Sequence, residues 1–247
     1  MKKKKEKINK LKVVALIPAR GGSKGIKSKN LYPLCSKPLI SWTIQTAKNE
    51  KMINRIFVST DHNKIALQAK KYGAEIHKRP KKYATDKSLI YETINSFLKF
   101  LRVELKYKPD VLVLLEPTCP LREKKLIVNC IKQLVEKNYD TIATFSKAKT
   151  DPRKIWNISN SKKPTAFYNN QVWLPRQKFN STYQLNGLLY GFNLKNIKSI
   201  KKNLLFGKST SFVCDGSSNI DINNKEDIQY AEYIINKKKK ENNEKKY

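Results

Sequence analysis

The chain has 247 residues, with 52 lysines and arginines against 20 aspartates and glutamates, for a formal net charge of +32 at pH 7. That length is sufficient for one α/β domain with a buried core and a small appendage. No apolar run approaches the roughly 20 residues of a membrane-spanning helix, which excludes a predicted transmembrane segment. The charge alone is typical of nucleic-acid-binding proteins, but the lysines are scattered over nearly every segment, with no aromatic-interleaved basic motif.

The N-terminal part of the chain contains the most informative stretch. Residues 1–11 form a basic arm that we expect to be flexible, and residues 13–17 are a predicted buried strand. The loop that follows combines glycines, a serine hydroxyl and four cations: Gly21, Gly22, Gly25, Ser23, Arg20, Lys24, Lys27 and Lys29. A tight loop with free N–H groups and cations after a strand is typical of a polyphosphate site.

The spacing of this loop matches neither the P-loop pattern nor the dinucleotide fingerprint. An ordinary strand-to-helix turn on a very basic protein therefore stays open as an alternative at this point. Downstream, Pro38 and the apolar spacing that follows it predict a helix over residues 38–49, with the proline at its first position.

Strands and helices alternate through the next hundred residues. Strands are predicted at 53–59, 74–77, 111–115 and 141–145, and helices at 62–72, 88–105 and 123–138, with Ser88 as the cap of the second of these. This order favours βαβ units in a three-layer α/β fold with a mostly parallel sheet.

The pattern changes at residues 146–185, where prolines and isolated aromatics replace the strand–helix order. We interpret this segment as an excursion from the sheet, because so many large aromatic side chains are uncommon in a solvated insertion. Strands at 188–192 and 212–214 and a helix at 224–236 follow. The predicted domain thus spans residues 12–236, and residues 237–247 are a charged tail.

Candidate site residues follow three of the predicted strands. They lie at 19–30, at Asp61 and at 116–122. Ligands of open α/β sheets bind beyond the carboxyl ends of the strands, so we expect these residues to converge on one crevice.

The cysteines do not indicate a metal site, because they include no C-x-x-C pair and no histidine lies near them. We interpret them as free thiols of a cytoplasmic protein, and Cys119 as a small substitute for serine: Cys35, Cys119, Cys130 and Cys214.

Five segments, in order, closely resemble the acylneuraminate cytidylyltransferases (CMP-sialic acid synthetases), over about residues 12–236. They are residues 17–26 with Lys29-Asn30, residues 58–61, residues 114–122, Pro175-Arg-Gln177 with Asn186-Gly187, and residues 220–223. The resemblance implies a nucleotidyltransferase-type fold in which 146–185 is a protruding dimerisation subdomain. It also implies transfer of CMP from CTP to the anomeric hydroxyl of a nine-carbon acidic keto-sugar, with release of pyrophosphate. The implied protein is a cytoplasmic homodimer that uses Mg²⁺ and has no nucleic-acid or membrane partner.

The resemblance also assigns residues to the nucleotide. Its nucleotide-binding positions match Ala19, Arg20, Gly21, Gly22, Ser23, Lys29, Asn30, Arg79 and Ser88. We expect Arg20, Lys29 and Arg176 to act in catalysis, since guanidinium and ammonium groups neutralise phosphate and carboxylate charge.

The expected sugar-binding residues are Glu116, Arg122, Arg176, Gln177 and Asn186. Arg176 matches a family arginine and is expected to pair with the sugar carboxylate, whereas Arg122 either contacts substrate or begins the next helix. Glu116 departs from the family, which often has glutamine there. A carboxylate accepts hydrogen bonds but does not donate them as an amide does, so the identity of the sugar stays open.

The expected Mg²⁺ ligands are Asp221 and, less securely because it carries no charge, Asn223. The family usually presents Asp-x-Asp where this chain has Asp221-Ile222-Asn223, and alternation along a strand would place both side chains on one face. Asp227 is expected in the first turn of the last helix, where a carboxylate complements the helix dipole.

Three alternatives stay open. In the first, the sugar is a related bacterial acid: legionaminic acid, pseudaminic acid or an eight-carbon acid sugar. In the second, the chain is a non-enzymatic, basic nucleic-acid-binding protein, which would use the charge but leave the ordered motifs unexplained. In the third, the chain is a degenerate member of the family that binds nucleotide without turnover, as Glu116 and Asn223 suggest.

Overall fold

The computed structural model describes residues 10–23, 25–168, 180–215 and 219–244. Its strands are β1 (Val13–Pro18), β2 (Pro33–Leu34), β3 (Lys37–Pro38), β4 (Arg55–Thr60), β5 (Glu75–Lys78), β6 (Val111–Leu114), β7 (Thr141–Lys147), β8 (Trp156–Ile158), β9 (Pro164–Ala166), β10 (Tyr183–Asn193) and β11 (Ser209–Val213). Its α-helices are α1 (Leu39–Lys48), α2 (Asn63–Lys71), α3 (Ile90–Val103), α4 (Leu126–Glu136) and α5 (Lys225–Glu244).

Seven strands form one sheet in the order β11-β7-β10-β6-β1-β4-β5. Strand β1 lies between β4 and β6 and is parallel to both, and β5 and β11 also pair in parallel with their neighbours. Only β10 runs against its neighbours β6 and β7 among the described strands of this sheet. The prediction of a mostly parallel α/β sheet is therefore confirmed.

The continuous apolar run of β1 is buried on both faces of the sheet. Ala15 and Ile17 pack with residues of α1, α2 and α4, whereas Val14 and Leu16 pack with residues of α3. A strand that is covered on both sides loses the apolar–polar alternation of a half-exposed one. The sheet is thus the middle of three layers, as predicted.

Three helix ends differ from the sequence prediction. Pro38 is the N-cap residue of α1 rather than its first residue, because it also pairs in the small β2–β3 hairpin. Leu89, not Ser88, is the N-cap of α3, and its N–H donates to Glu92 Oε2 at 2.9 Å. Helix α5 continues past residue 236 to Glu244, since the lysine-rich sequence beyond it consists largely of good helix formers.

The excursion begins and ends in one antiparallel ribbon. Strand β7 extends to Lys147, which pairs with Tyr183 at the start of β10, and β8 and β9 form a hairpin beyond it. Its described aromatics are exposed, and Trp156, the least exposed of them, has 40% of its surface accessible. The expected dimerisation role of this segment stays a prediction. Within the described ranges, each helix is too short or too polar to cross a lipid bilayer.

Candidate active site

The carboxyl ends of β1, β4 and β6 surround a cavity of about 480 Å³, here named the basic cavity. Its lining includes seven of the predicted nucleotide-binding residues: Arg20, Gly22, Ser23, Lys29, Asn30, Arg79 and Ser88. Ala19 and Gly21 are not part of that lining. A larger hollow of about 810 Å³ lies between β5 and α3, but none of the predicted site residues line it.

The loop after β1 is shaped by its own polar groups. The Gly21 amide donates to Asp61 Oδ1 at 2.9 Å, and the buried Asn30 donates from Nδ2 to the Arg20 carbonyl at 3.1 Å. The Ser23 hydroxyl donates to the Ile26 carbonyl at 2.7 Å and accepts from the Lys29 amide. The sequence argument took the Gly21 and Ser23 groups as donors to phosphate, whereas the structure engages them within the protein.

Each cation of the described cavity lining has a protein partner. Arg20 Nη1 lies 2.6 Å from Asp86 Oδ1, and Lys29 Nζ donates to the Ile222 carbonyl at 2.9 Å. The buried Arg79 donates to the Ser59 hydroxyl and to the Ser59 carbonyl. Burial lowers the pKa of Arg79 to about 10, so its guanidinium is still charged at neutral pH. The three positive groups are thus held in place around the cavity.

Ser88 closes the turn next to this cavity instead of capping α3. Its hydroxyl accepts from the Thr85 amide at 3.0 Å and donates to the Lys82 carbonyl at 3.1 Å. These bonds shape the segment that carries Thr85 and Asp86 into the cavity lining.

The segment at residues 221–223 is not a strand, contrary to the sequence prediction. Its exposure still alternates, because Ile222 is buried and its amide donates to the Thr118 carbonyl at 2.8 Å. Asp221 and Asn223 therefore stay side by side, and Asn223 donates from Nδ2 to Asp221 Oδ2 at 2.9 Å. Asp227 accepts from the amide of Asn223 at the start of α5, close to the position expected for it.

Gly25 explains how the loop after β1 meets this segment. A Cβ added to Gly25 would lie 2.3 Å from the carbonyl oxygen of Asn223, which is closer than a real side chain approaches a backbone atom. Only glycine allows the two backbones to come so near. The contact brings the N-terminal loop and the Asp221–Asn223 pair to one site, although they are almost 200 residues apart in the sequence.

A second cavity of about 660 Å³, here named the polar cavity, adjoins the first. It lies between β7, β10 and the segment before α5, and its lining includes Lys147, Asn186, Tyr190, Asn219 and Asp221. Glu116 and Asn223 are the described residues that line both cavities. They form the shared wall of the two cavities.

Glu116 lies in an environment that disfavours its charge. Burial and the nearby Asp221 raise the pKa of Glu116 to about 7, since both oppose ionisation of a carboxyl. Burial, followed by the charge of Glu116, also raises the pKa of Tyr190 to about 12. The phenol therefore stays protonated at neutral pH and can donate to a ligand in the polar cavity.

Asn186 is placed by a bulge within β10. The register shifts between Leu185 and Tyr190, and the Thr144 hydroxyl opposite donates to Asn186 Oδ1 at 2.6 Å. Gly187 supplies the positive φ of 69° that the bulge requires. The sequence predicted a strand only over residues 188–192, whereas Asn186 lies inside an 11-residue strand.

Asn219 is a site residue that the sequence reasoning missed. Among the described residues, both polar atoms of its side chain are buried without a hydrogen-bond partner, and native proteins rarely leave a buried amide unpaired. A lone asparagine gives no sequence signal for this role. The sequence did offer a way to find Tyr190, because it lies in the same strand as the predicted site residue Asn186.

Arg122 has a different role from the one expected at the sugar. Its enclosed guanidinium donates to the carbonyls of Leu188, Cys119 and Glu116, at 2.6–2.7 Å, and to Thr43 Oγ1 at 2.9 Å. Burial lowers the pKa of Arg122 to about 10. With four contacts made to the protein, Arg122 holds the loop after β6 against β10 and α1 and has little capacity left for substrate.

Two of the predicted sugar-binding residues, Arg176 and Gln177, lie outside the described residues.

Cys119 is buried and donates to the Asn186 carbonyl at 3.4 Å. Burial raises the pKa of the Cys119 thiol to about 12, which agrees with its interpretation as a small polar substitute rather than a nucleophile.

Comparisons with known proteins show which family the chain resembles. A family model described as cytidylyltransferase matches residues 14–240. The chain is 30% identical over 237 residues to the N-acylneuraminate cytidylyltransferase of Escherichia coli O18:K1:H7 (strain RS218 / NMEC), which covers 93% of this chain and 54% of the relative. It is 32% identical over 231 residues to the CMP-N,N'-diacetyllegionaminic acid synthase of Campylobacter jejuni, covering 92% and 96% respectively. The chain thus spans about half of the first relative and nearly all of the second.

Solved structures show the same fold. The CMP:2-keto-3-deoxy-manno-octonic acid synthetase complexed with CTP superposes with a TM-score of 0.67 at 12% identity, covering 92% of this chain and 99% of the other. The 4-diphosphocytidyl-2C-methyl-D-erythritol synthase of Anaerococcus prevotii superposes with a TM-score of 0.62 at 18% identity, with the same two coverages. Taken with the family model matched over residues 14–240, these findings show that the chain belongs to the cytidylyltransferase family.

Proposed function

We propose that this protein transfers CMP from CTP to the anomeric hydroxyl of a nine-carbon acidic keto-sugar of the sialic acid type and releases pyrophosphate. The observation that carries the proposal is the pair of adjoining cavities. The first is lined by Arg20, Lys29 and Arg79, and the second by amide, phenol and charged groups of both signs, with Glu116 and Asn223 in the shared wall. A polyanionic nucleotide and a hydroxylated acceptor would meet at that wall.

The chain's own residues supply charge neutralisation and alignment. In nucleotidyl transfer the sugar hydroxyl attacks the α-phosphate and pyrophosphate leaves, so negative charge on the phosphate oxygens must be balanced. We propose that Arg20 and Lys29 do this. In the structure Lys29 is held by the Ile222 carbonyl, and Arg20 is paired with Asp86. We propose that Arg176 pairs with the sugar carboxylate, as the family resemblance implies.

A magnesium ion is part of the proposal. The described residues contain no group of three or more histidine, cysteine, aspartate or glutamate side chains that could hold a metal by themselves. Mg²⁺ commonly binds one or two carboxylates together with substrate phosphates and water, so Asp221 fits such a site. Asn223 fits less well, because it directs its Nδ2 at Asp221. When bound, the ion would neutralise phosphate charge.

A second sugar class is also compatible with the polar cavity and with the relatives. Glu116 replaces the usual glutamine, and the Campylobacter jejuni relative is a CMP-N,N'-diacetyllegionaminic acid synthase. Legionaminic acid is therefore the second candidate, followed by pseudaminic acid and an eight-carbon acid sugar. Because the pKa of Glu116 is about 7, the group accepts hydrogen bonds as a carboxylate and donates one as a protonated acid, so it suits sugars that present either donors or acceptors at the shared wall.

Pyrophosphate release tests the proposal directly. Purified protein with Mg²⁺ and CTP should release pyrophosphate with one sugar of a panel of sialic, legionaminic, pseudaminic and eight-carbon acids, and ATP, GTP and UTP are the matched nucleotide controls. Absence of release with every sugar would contradict the transferase. CTP binding without release would indicate the degenerate member, and salt-sensitive DNA binding tighter than CTP binding would favour the nucleic-acid alternative.

We further propose a cytoplasmic homodimer that associates through the excursion. The excursion exposes large apolar side chains on the single chain: Ile158, Phe167, Tyr168, Tyr183 and Leu185. Exposed apolar side chains in such number favour a protein–protein interface. Sedimentation equilibrium should give twice the chain mass, and replacing Tyr183 and Leu185 by serine should yield monomers. A wild-type monomer at micromolar concentration would contradict the proposal.

A further inference from the structure

Asp86 lies in the basic cavity among groups that are placed to receive an anion. Its Oδ1 is 2.6 Å from Arg20 Nη1, and the side chains of Arg20 and Asp86 are 30% and 49% exposed. Both residues line the cavity, next to Lys29 and Arg79. The carboxylate of Asp86 is therefore already paired with the Arg20 guanidinium, which the proposed triphosphate would also contact.

The loop holds Asp86 in this position. Ser88 N–H donates to the Thr85 carbonyl at 3.2 Å, and the two residues are also linked through their hydroxyls at 2.8 Å. Asp86 and Lys87 are the central residues of the turn that these bonds close. Asp86 is thus presented to Arg20 by a shaped turn, and the ion pair is not a chance meeting of two long surface side chains.

We propose that Asp86 is an affinity-setting residue that competes with the substrate's phosphates for Arg20. This inference rests on the proposed function, and it adds a residue that the sequence reasoning did not assign. Binding of CTP replaces the carboxylate of Asp86 by phosphate oxygens at the Arg20 guanidinium. Departure of pyrophosphate returns Asp86 to it.

The physical reason is a balance of charge. An exposed ion pair stabilises the protein only modestly, so a polyanion that also reaches Lys29 and Arg79 can displace Asp86. The displaced carboxylate stays close enough to repel the bound phosphates. Both effects lower the affinity for any anion that reaches Arg20, and both speed the release of pyrophosphate. A ligand without phosphates is unaffected.

The test is equilibrium binding by titration calorimetry to wild type, Asp86→Asn and Asp86→Glu, with inorganic triphosphate, CTP and cytidine as probes. Asp86→Asn should bind triphosphate and CTP about three- to tenfold more tightly, since it removes the competing charge, and cytidine equally well. Asp86→Glu keeps the charge and should stay near wild type. Glu136→Gln, which removes an exposed charge on α4, is the control for net charge.

A second comparison separates competition from a structural role. Asp86→Asn introduced into an Arg20→Gln background should give a smaller gain in triphosphate affinity than in wild type, because the competition for Arg20 is gone and only the repulsion between Asp86 and the phosphates remains. Equal or weaker triphosphate binding by Asp86→Asn would overturn the inference, as would an unchanged gain in the Arg20→Gln background. A wild type that binds triphosphate but catalyses no transfer would refute the proposed function and leave this inference standing.

Discussion

The two cavities share a wall and differ in how their polar groups are satisfied. In the basic cavity, Arg20, Lys29 and Arg79 each have a protein partner that fixes them. In the polar cavity, both side-chain polar atoms of Asn219 lack one. The first arrangement suits a ligand whose charged part is always the same, the phosphate chain. The second leaves hydrogen bonds to be completed by a ligand that differs between relatives.

The largest expected effect concerns the arginine that supports the wall between the cavities. Replacing Arg122 by methionine removes the guanidinium donor to the carbonyls of Leu188, Cys119 and Glu116, of which the Glu116 carbonyl keeps the Cys119 N–H, so the free energy of unfolding should fall by about 3–5 kcal/mol. Guanidinium-induced unfolding measures this. The control, Arg102→Met on the exposed side of α3, should change stability by less than about 0.5 kcal/mol. A loss below about 1 kcal/mol for Arg122→Met would show that these contacts are not needed.

The next effect tests the preorganised cations. Arg20→Ala should lower kcat/KM for CTP by about 100-fold or more, the scale for removing one fixed charge-stabilising donor. Steady-state pyrophosphate release measures this loss, with Arg102→Ala as control. The unfolding midpoint should stay near wild type, because Arg20 is partly exposed. A change of only twofold would remove Arg20 from the phosphate site.

A third prediction concerns pH and the shared wall. The pKa of Glu116 is raised from 4.5 to about 7, so between these values the native state binds more protons than the unfolded state, and stability falls as pH rises. Glu116→Gln removes the titrating group and with it this loss of stability. The free energy of unfolding of the variant, relative to that of wild type, should therefore rise by about 2–3 kcal/mol between pH 4.5 and pH 8.

Urea unfolding at several pH values checks the Glu116 prediction. Glu136→Gln, an exposed substitution of the same chemistry on α4, is the matched control. A stability difference between Glu116→Gln and wild type that stays constant with pH would contradict the raised pKa.

The smallest effect on stability is expected at Asn219. Asn219→Ala removes an amide that makes no hydrogen bond to the protein, so the free energy of unfolding should change by less than about 1 kcal/mol. The KM for the acid sugar should instead rise about two- to tenfold, with the KM for CTP unchanged. Steady-state kinetics with each substrate varied in turn measures this. Equal changes in both KM values would mean that Asn219 does not distinguish the cavities.

The two cavities also differed in what could be predicted. The glycines and cations after β1 form a contiguous string, so Arg20, Lys29 and Asn30 were identified before any geometry was known. The polar cavity draws Lys147, Tyr190 and Asn219 from three separate segments, and no single segment reveals its chemistry. The sequence left two roles open for Arg122, a substrate contact or the start of the next helix. The tertiary structure adds its four partners within the protein.

The sequence by itself determined the alternation of buried strands and helices, because apolar periodicity reports which faces avoid water. It also predicted a phosphate-binding role for the loop after β1, since glycines and cations carry their chemistry locally. The tertiary structure alone decided which polar groups already have partners: Arg20 with Asp86, Arg122 with three carbonyls, and Asn219 with none. Hydrogen-bond satisfaction depends on neighbours that are distant in the chain, so no local pattern records it.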